Sequence, residues 1–325
     1  MNSNKYFSAL FVIITLGLIS AVSCQDLSCN YYDKDCENFE EIVAKKVWEW
    51  FKKDKTIAAS LIRLHFHDCA VRGCDASILL DYPGSEKWAT SSKTLRGYEV
   101  IDDIKATLEK KCPNLVSCAD ILTAAARDAT VLVKGPYWSN EYGRKDGLIS
   151  VAQEADDLPN GREDVTTLIE FYQALGLNML DMVVLSGAHT IGRSTCGAIK
   201  NRLSRYDENG KLHSTIMAPT YLNYLRRKCK NDTNYVDLDA RTPYTFDNEY
   251  YKNIEKNMGL LYSDQALYTD HRTSEYIATL ANDDGGSFPY LFSSSMVKLG
   301  NILGDAQDDG EGEVRQHCSR LNSGY

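Results

Sequence analysis

Arg63 and His67 lie four residues apart in the stretch 58–80. If that stretch begins as a helix, a guanidinium and an imidazole project from one face and reach the same small ligand. Directly after them, Asp68, Gly73, Asp75 and Ser77 crowd around Cys69 and Cys74, a tight oxygen-rich loop that suits a hard cation. His65, on the other side of Phe66, reads as a core residue. Two histidines flanking Phe66 and followed by Asp68 also admit a zinc site. Zinc would need further His or Cys ligands, and the neighbours Cys69 and Cys74 look paired with each other.

A second chemical segment runs from Asp181 to Arg193. Leu185-Ser186-Gly187-Ala188 reads as the end of a helix, and its small residues leave room for a flat, bulky group to approach His189 beside Thr190. The loop 239–247 offers Asp239 and Asp247 at its ends with Thr242 and Thr245 between, and Ser263-Asp264-Gln265 follows at a helix start. On spacing alone the acidic loop reads as a solvated turn.

The elements that must position these residues are helical. Phe39, Ile42, Val43, Val47, Trp50 and Phe51 recur at three- and four-residue intervals, which predicts an amphipathic helix over 38–53. The same period predicts helices over 97–110, over 117–133 with Ser117 as cap and Asp120 in the first turn, and over 165–175. Later helices are expected over 217–228, 246–257, 264–269 and 287–299, with Gly, Asn, Asp and Pro clusters as loops. Few stretches alternate, so the class is all-α with at most a small β ribbon.

At 325 residues and 43% hydrophobic content the chain can bury a sizeable core without covalent staples, yet it carries 10 cysteines. Cysteines kept in such a chain suggest an oxidising compartment or a metal cluster. A net charge of −9 argues against nucleic acid or an anionic membrane as the main partner. Lys5, an apolar run from Phe7 to Ile19 and small residues from Ala21 predict a signal peptide over 1–24, cut before Gln25. No later apolar run is long enough for a membrane span. Loss of Cys24 with the signal leaves an odd number of cysteines, so at least one stays free or blocked. The sequon Asn231-Asp232-Thr233 would be open to glycosylation.

Taken together, these segments resemble the secretory plant (class III) haem peroxidases, from about Gln25 to Cys318. The resemblance rests on Arg63-Leu-His-Phe-His-Asp-Cys69, Gly73-Cys-Asp-Ala-Ser-Ile-Leu79-Leu80, Val116-Ser-Cys-Ala-Asp120, Leu185-Ser-Gly-Ala-His-Thr190, Arg241-Thr-Pro243 and Phe246-Asp-Asn248. It implies one domain over 25–325 in which two helical lobes sandwich haem b. The distal side would hold His67, Arg63 and Phe66, and the proximal side would hold His189 as axial ligand with Asp264 behind it. A neutral imidazole at His67 can take a proton from one peroxide oxygen and return it to the other. Arg63 would face the charge developing on the departing hydroxide. Phe66 would limit access to the iron. Asp264 would accept the other ring proton of His189 and make it more electron-rich.

The same resemblance implies two Ca²⁺ ions. One would be held by Asp68, Val71, Gly73, Asp75 and Ser77, with Glu86 acting through water. The other would be held by Thr190, Asp239, Thr242, Thr245 and Asp247. It also implies disulfides joining Cys36 to Cys112, Cys69 to Cys74, Cys118 to Cys318 and Cys196 to Cys229, leaving Cys29 out. Hydrogen peroxide and small aromatic donors, phenols first, are the expected partners of a monomer that is extracellular or in the cell wall.

Several positions depart from the family pattern. Ala70 replaces an aromatic, and Leu158-Pro159-Asn160-Gly161 keeps Pro159 for substrate contact but lacks a second proline. Ala89, Arg162 and Ala198 stand where phenylalanines often line the access channel, which predicts a wider, more polar mouth. The asparagine that supports the distal histidine in the family is absent, and Ser91 or Ser92 stands in its place. The alternative function is a catalytically weak wall protein that binds haem and calcium.

Overall fold

The computed structural model describes residues 27–204, 216–307 and 311–323. The expected signal peptide over 1–24 lies outside the described residues. The first half of the chain forms α1 (Phe39–Lys53), α2 (Ile57–Arg72), α3 (Tyr98–Glu109) and α4 (Cys118–Leu132). As its period predicts, α1 turns Phe39, Ile42, Val43 and Val47 inward. Ser117 caps α4 by accepting the Asp120 amide at 3.1 Å, and every side chain from Cys118 to Thr130 is buried. Its alanines at 119, 124, 125, 126 and 129 let α1, α2 and α3 approach closely. α4 is therefore a central axis, and α2, the helix bearing Arg63 and His67, lies against it.

The remaining helices are α5 (Ala152–Asp156), α6 (Val165–Ala174), α7 (Met179–Ser186), α8 (Lys200–Leu203), α9 (Pro219–Lys228), α10 (Glu249–Glu255), α11 (Tyr262–Thr269), α12 (Ser274–Asn282) and α13 (Ser287–Gly300). Two antiparallel ribbons complete the described fold. β1 (Asp146–Gly147) pairs with β4 (Gly312–Glu313), and β2 (Arg193–Thr195) pairs with β3 (Tyr235–Asp237). The sequence does not predict α5, α8 or α12. α12 does bury Ile277, Leu280 and Ala281 at helical spacing, but it is only nine residues long. The helix expected over 246–257 is shorter, because Phe246 and Asp247 belong to the preceding loop.

One apolar core runs from Val43 and Leu64 in the first half to Tyr251 and Phe292 in the second, so the two halves are not separately cored. Burying each such side chain stabilises by about 1.5–3 kcal/mol, which is what holds helices too short to persist alone. A smaller cluster of Cys196, Ile199, Tyr221, Leu225, Val236 and Leu260 lies beside it. Arg144 and Asp120 form a fully buried pair at 2.7 Å, and Asp120 also accepts from Tyr32 Oη at 2.7 Å and Gly143 N at 2.8 Å. Disulfides join Cys36 to Cys112, Cys69 to Cys74, Cys118 to Cys318 and Cys196 to Cys229, and Cys29 is free and exposed.

Candidate active site

Arg63 and His67 share one face of α2. Arg63 donates to Thr94 Oγ1 at 2.9 Å and to the Ser91 carbonyl at 3.1 Å, which ties the guanidinium to the 91–94 segment. Burial, and then the Arg63 charge, push the His67 pKa down to about 3, so the ring is a neutral base at ordinary pH. Phe66 is half-buried and stacks on Tyr172 of α6, with ring centroids 6.2 Å apart. This contact joins the distal helix to the second half of the chain.

His67 Nδ1 is buried without a hydrogen-bond partner among the described residues, and so is Ser92 Oγ. Ser91 is engaged elsewhere: its hydroxyl donates to the Ala155 carbonyl at 2.7 Å, and its amide donates to Asp156 at 3.0 Å. The structure thus forms no bond from either serine to His67.

His65 is buried, with its ring nitrogens 3.5 and 3.8 Å from Cys69 Sγ. The potential ligand atoms of His65, Cys69 and Cys74 lie within 4.8 Å of one another, but both sulfurs are spent in their mutual disulfide, so no thiolate remains for zinc.

α2 stops at Gly73, whose φ of +84° and close approach to Gly304 N exclude a side chain. In the loop that follows, Asp68 Oδ2 accepts from Ala76 N at 3.0 Å and Asp75 Oδ1 accepts from Ser77 N at 2.9 Å. Asp68 Oδ1, Ser77 Oγ and both Glu86 carboxylate oxygens are buried without partners among the described residues. Burial, then the Asp75 charge, raises Asp68; burial, with the Asp146 charge behind it, takes Asp75 to about 6, and burial leads the rise of Glu86 to about 8. A chain that buries three carboxylates and leaves four oxygens unpaired fits a hard cation. Gly147 belongs to this site although the sequence does not mark it. Its amide donates to the Asp75 carbonyl at 2.7 Å, and a side chain on it would collide with the Asp75 carboxylate.

On the proximal side, α7 runs into a single tighter turn, Gly187–Thr190, that presents His189. His189 Nδ1 donates to Asp264 Oδ1 at 2.8 Å, leaving Nε2 without a hydrogen bond among the described residues on a side chain 37% exposed. Asp264 sits in the first turn of α11, where its Oδ2 accepts from Leu261 N at 2.9 Å, while Tyr250 Oη donates to Oδ1 at 3.0 Å. The sequence does not point to Tyr250, because the carboxylate it meets lies on the next helix. A bound and oriented Nδ1–H with a free Nε2 fits a haem ligand.

Thr190 Oγ1 lies 3.3 Å from Asp247 Oδ1 and 3.5 Å from Asp239 Oδ2, and Thr242 Oγ1 donates to Asp247 Oδ1 at 3.0 Å. Asn253, another residue the sequence does not mark, donates to Asp239 Oδ1 at 3.0 Å. The Thr245 amide donates to the Thr242 carbonyl at 2.9 Å, which closes the loop.

Pro159 is half-buried, and the loop after it is pinned to α11 by Ser263 N donating to Gly161 O at 3.1 Å. The expected channel position Ala89 is corrected: it is buried against Ala70, Ala155 and Leu158, where a small side chain lets α5 close over the 86–88 turn. Arg162 and Ala198 are exposed, and so is Asn231.

A peroxidase family model matches residues 43–283. The chain belongs to the peroxidase family. It is 51% identical over 297 residues to Peroxidase 7 of Arabidopsis thaliana, covering 91% of this chain and 85% of that protein. It is 42% identical to Peroxidase 56 of the same plant over 322 residues, covering 96% and 97%, and 40% identical to its Peroxidase 25 over 325 residues, covering 98% of each. These class III relatives make the chain a peroxidase, and membership of the family implies a haem cofactor. Among the described residues no single helix is long and apolar enough to cross a membrane.

Proposed function

We propose that the chain is a secreted peroxidase that reduces hydrogen peroxide with two one-electron oxidations of a phenolic or similar small aromatic donor. The observation that carries this reading is the pairing of a neutral, buried His67 with the Arg63 cation on one helical face. Haem b, when bound, supplies the iron that accepts peroxide and stores its two oxidising equivalents. His189 would hold that iron through Nε2, with Asp264 orienting its ring. His67 would take the proton from the peroxide oxygen nearest the iron and return it to the leaving oxygen. Arg63 would stabilise the charge on that leaving oxygen. Phe66 would narrow the approach, and Pro159 would contact the donor at the rim.

Two Ca²⁺ ions would hold the histidines from outside. The first would sit among Asp68, Val71, Gly73, Asp75 and Ser77, with Glu86 through water, and the unpaired oxygens there support it. The second would sit among Thr190, Asp239, Thr242, Thr245 and Asp247. Four disulfides and an exposed sequon at Asn231 support secretion, and the protein would be a monomer that is extracellular or in the cell wall.

An absorption spectrum of the purified protein, taken before and after one equivalent of peroxide and then after a phenol, tests the reading. Stepwise change and full return over two donor equivalents is expected. A spectrum unmoved by peroxide would sink it.

A further inference from the structure

We propose that Tyr250 is a positioning residue that restrains the pull of Asp264 on His189, setting how electron-rich the axial imidazole becomes. The inference rests on the reading of His189 as the haem ligand. Asp264 Oδ1 serves two donors at once, His189 Nδ1 at 2.8 Å and Tyr250 Oη at 3.0 Å, and its other oxygen holds the Leu261 amide. Both Asp264 and Tyr250 are 2% exposed, so water does not compete for that oxygen. Hydrogen bonds to an ionised carboxylate are roughly twice as strong as neutral ones, and each added donor draws charge away from the others. With the Tyr250 hydroxyl in place, Oδ1 therefore offers His189 less negative charge than the carboxylate would alone.

The same hydroxyl fixes where Oδ1 points, and the Tyr250 ring stands edge-on to His189 with centroids 6.2 Å apart. Burial and the neighbouring Asp264 hold the tyrosine well above its ordinary pKa, so it stays a donor across the working range. Tyr251, the next residue, shows that the arrangement is specific. It is equally buried, but its hydroxyl turns to the carbonyls of Val183 at 3.2 Å and Val184 at 3.4 Å.

The test uses the haem-loaded enzyme and reads the Fe(III)/Fe(II) midpoint together with the iron–histidine stretch of the ferrous form. Tyr250→Phe keeps the ring and removes only the hydroxyl. It should lower the midpoint by about threefold in the redox ratio, ~28 mV, and raise the stretch. Asp264→Asn should move both the opposite way, and Tyr251→Phe should move neither. No change in Tyr250→Phe while Asp264→Asn shifts both overturns the inference, as does an equal shift in Tyr251→Phe. If Asp264→Asn also moves neither, the axial reading of His189 fails and takes this inference with it. A wild-type measurement needs no variant: the ferric cyanide complex should show a slowly exchanging hydroxyl proton with a nuclear Overhauser contact to the His189 ring, and its absence overturns the proposal.

Discussion

The two histidines of the site are held in opposite ways. On the proximal side the chain closes its own network: His189 bonds Asp264, which also binds Tyr250 and the Leu261 amide. On the distal side the polar groups are left open. Among the described residues His67 Nδ1 and Ser92 Oγ have no partner, and Asp68 and Glu86 are buried with unpaired oxygens. A buried polar atom without a partner costs about 1–3 kcal/mol, so the distal half has more to gain from a proposed cation and ordered water than the His189 ring, which protein groups already hold.

The largest effect expected from breaking this comparison is at the histidines themselves. His189→Ala should lose or destabilise haem, whereas His67→Ala should keep it and slow the peroxide step by about 10²–10⁴-fold. Stopped-flow rates and haem content separate the two, and a fast His67→Ala enzyme would refute the assignment. With the His67 pKa held near 3, the working base is the neutral form at higher pH. The peroxide step should therefore keep its rate as pH falls from 7 to 4, instead of declining through the usual histidine range near 6.5.

Chelation should come next in size and act through the distal half. Without a cation, Asp75 near 6 and Glu86 near 8 bind protons in the folded state that the unfolded chain has already released. Their contribution is therefore full below the unfolded carboxylate range near 4 and is lost as pH rises towards 8. The melting temperature should fall on chelation, more at pH 8 than at pH 5, and recover with added Ca²⁺. Equal loss at both pH values would mean these carboxylates do not hold the ion.

The smallest effect concerns the missing support of His67. Ser92 is the sharper target, since its hydroxyl has no partner among the described residues while that of Ser91 is bound to Ala155. Ser92→Asn should accelerate the peroxide step by the worth of one neutral hydrogen bond, about 0.5–1.5 kcal/mol, without changing the donor step. Ser91→Asn should do less, because it gives up the Ala155 contact, and the reverse ranking in stopped-flow would place the support at Ser91.

Much of this molecule was legible where chemistry and spacing coincide within a few residues. Arg63 and His67 share a helical face because they are one turn apart, and Ser117 caps α4 because the cap is local. The resemblance of a few short motifs then carried the fold, the haem and the pairing of cysteines up to 200 residues apart in sequence. What the sequence could not settle by itself are contacts between segments that meet only on folding. These are the second donor on Asp264, the bare Gly147 beside Asp75, the burial of Ala89 under α5, and the turn of the Ser91 hydroxyl to Ala155. Each depends on how whole helices pack around α4, and packing sums many weak, distant contacts that no local period records.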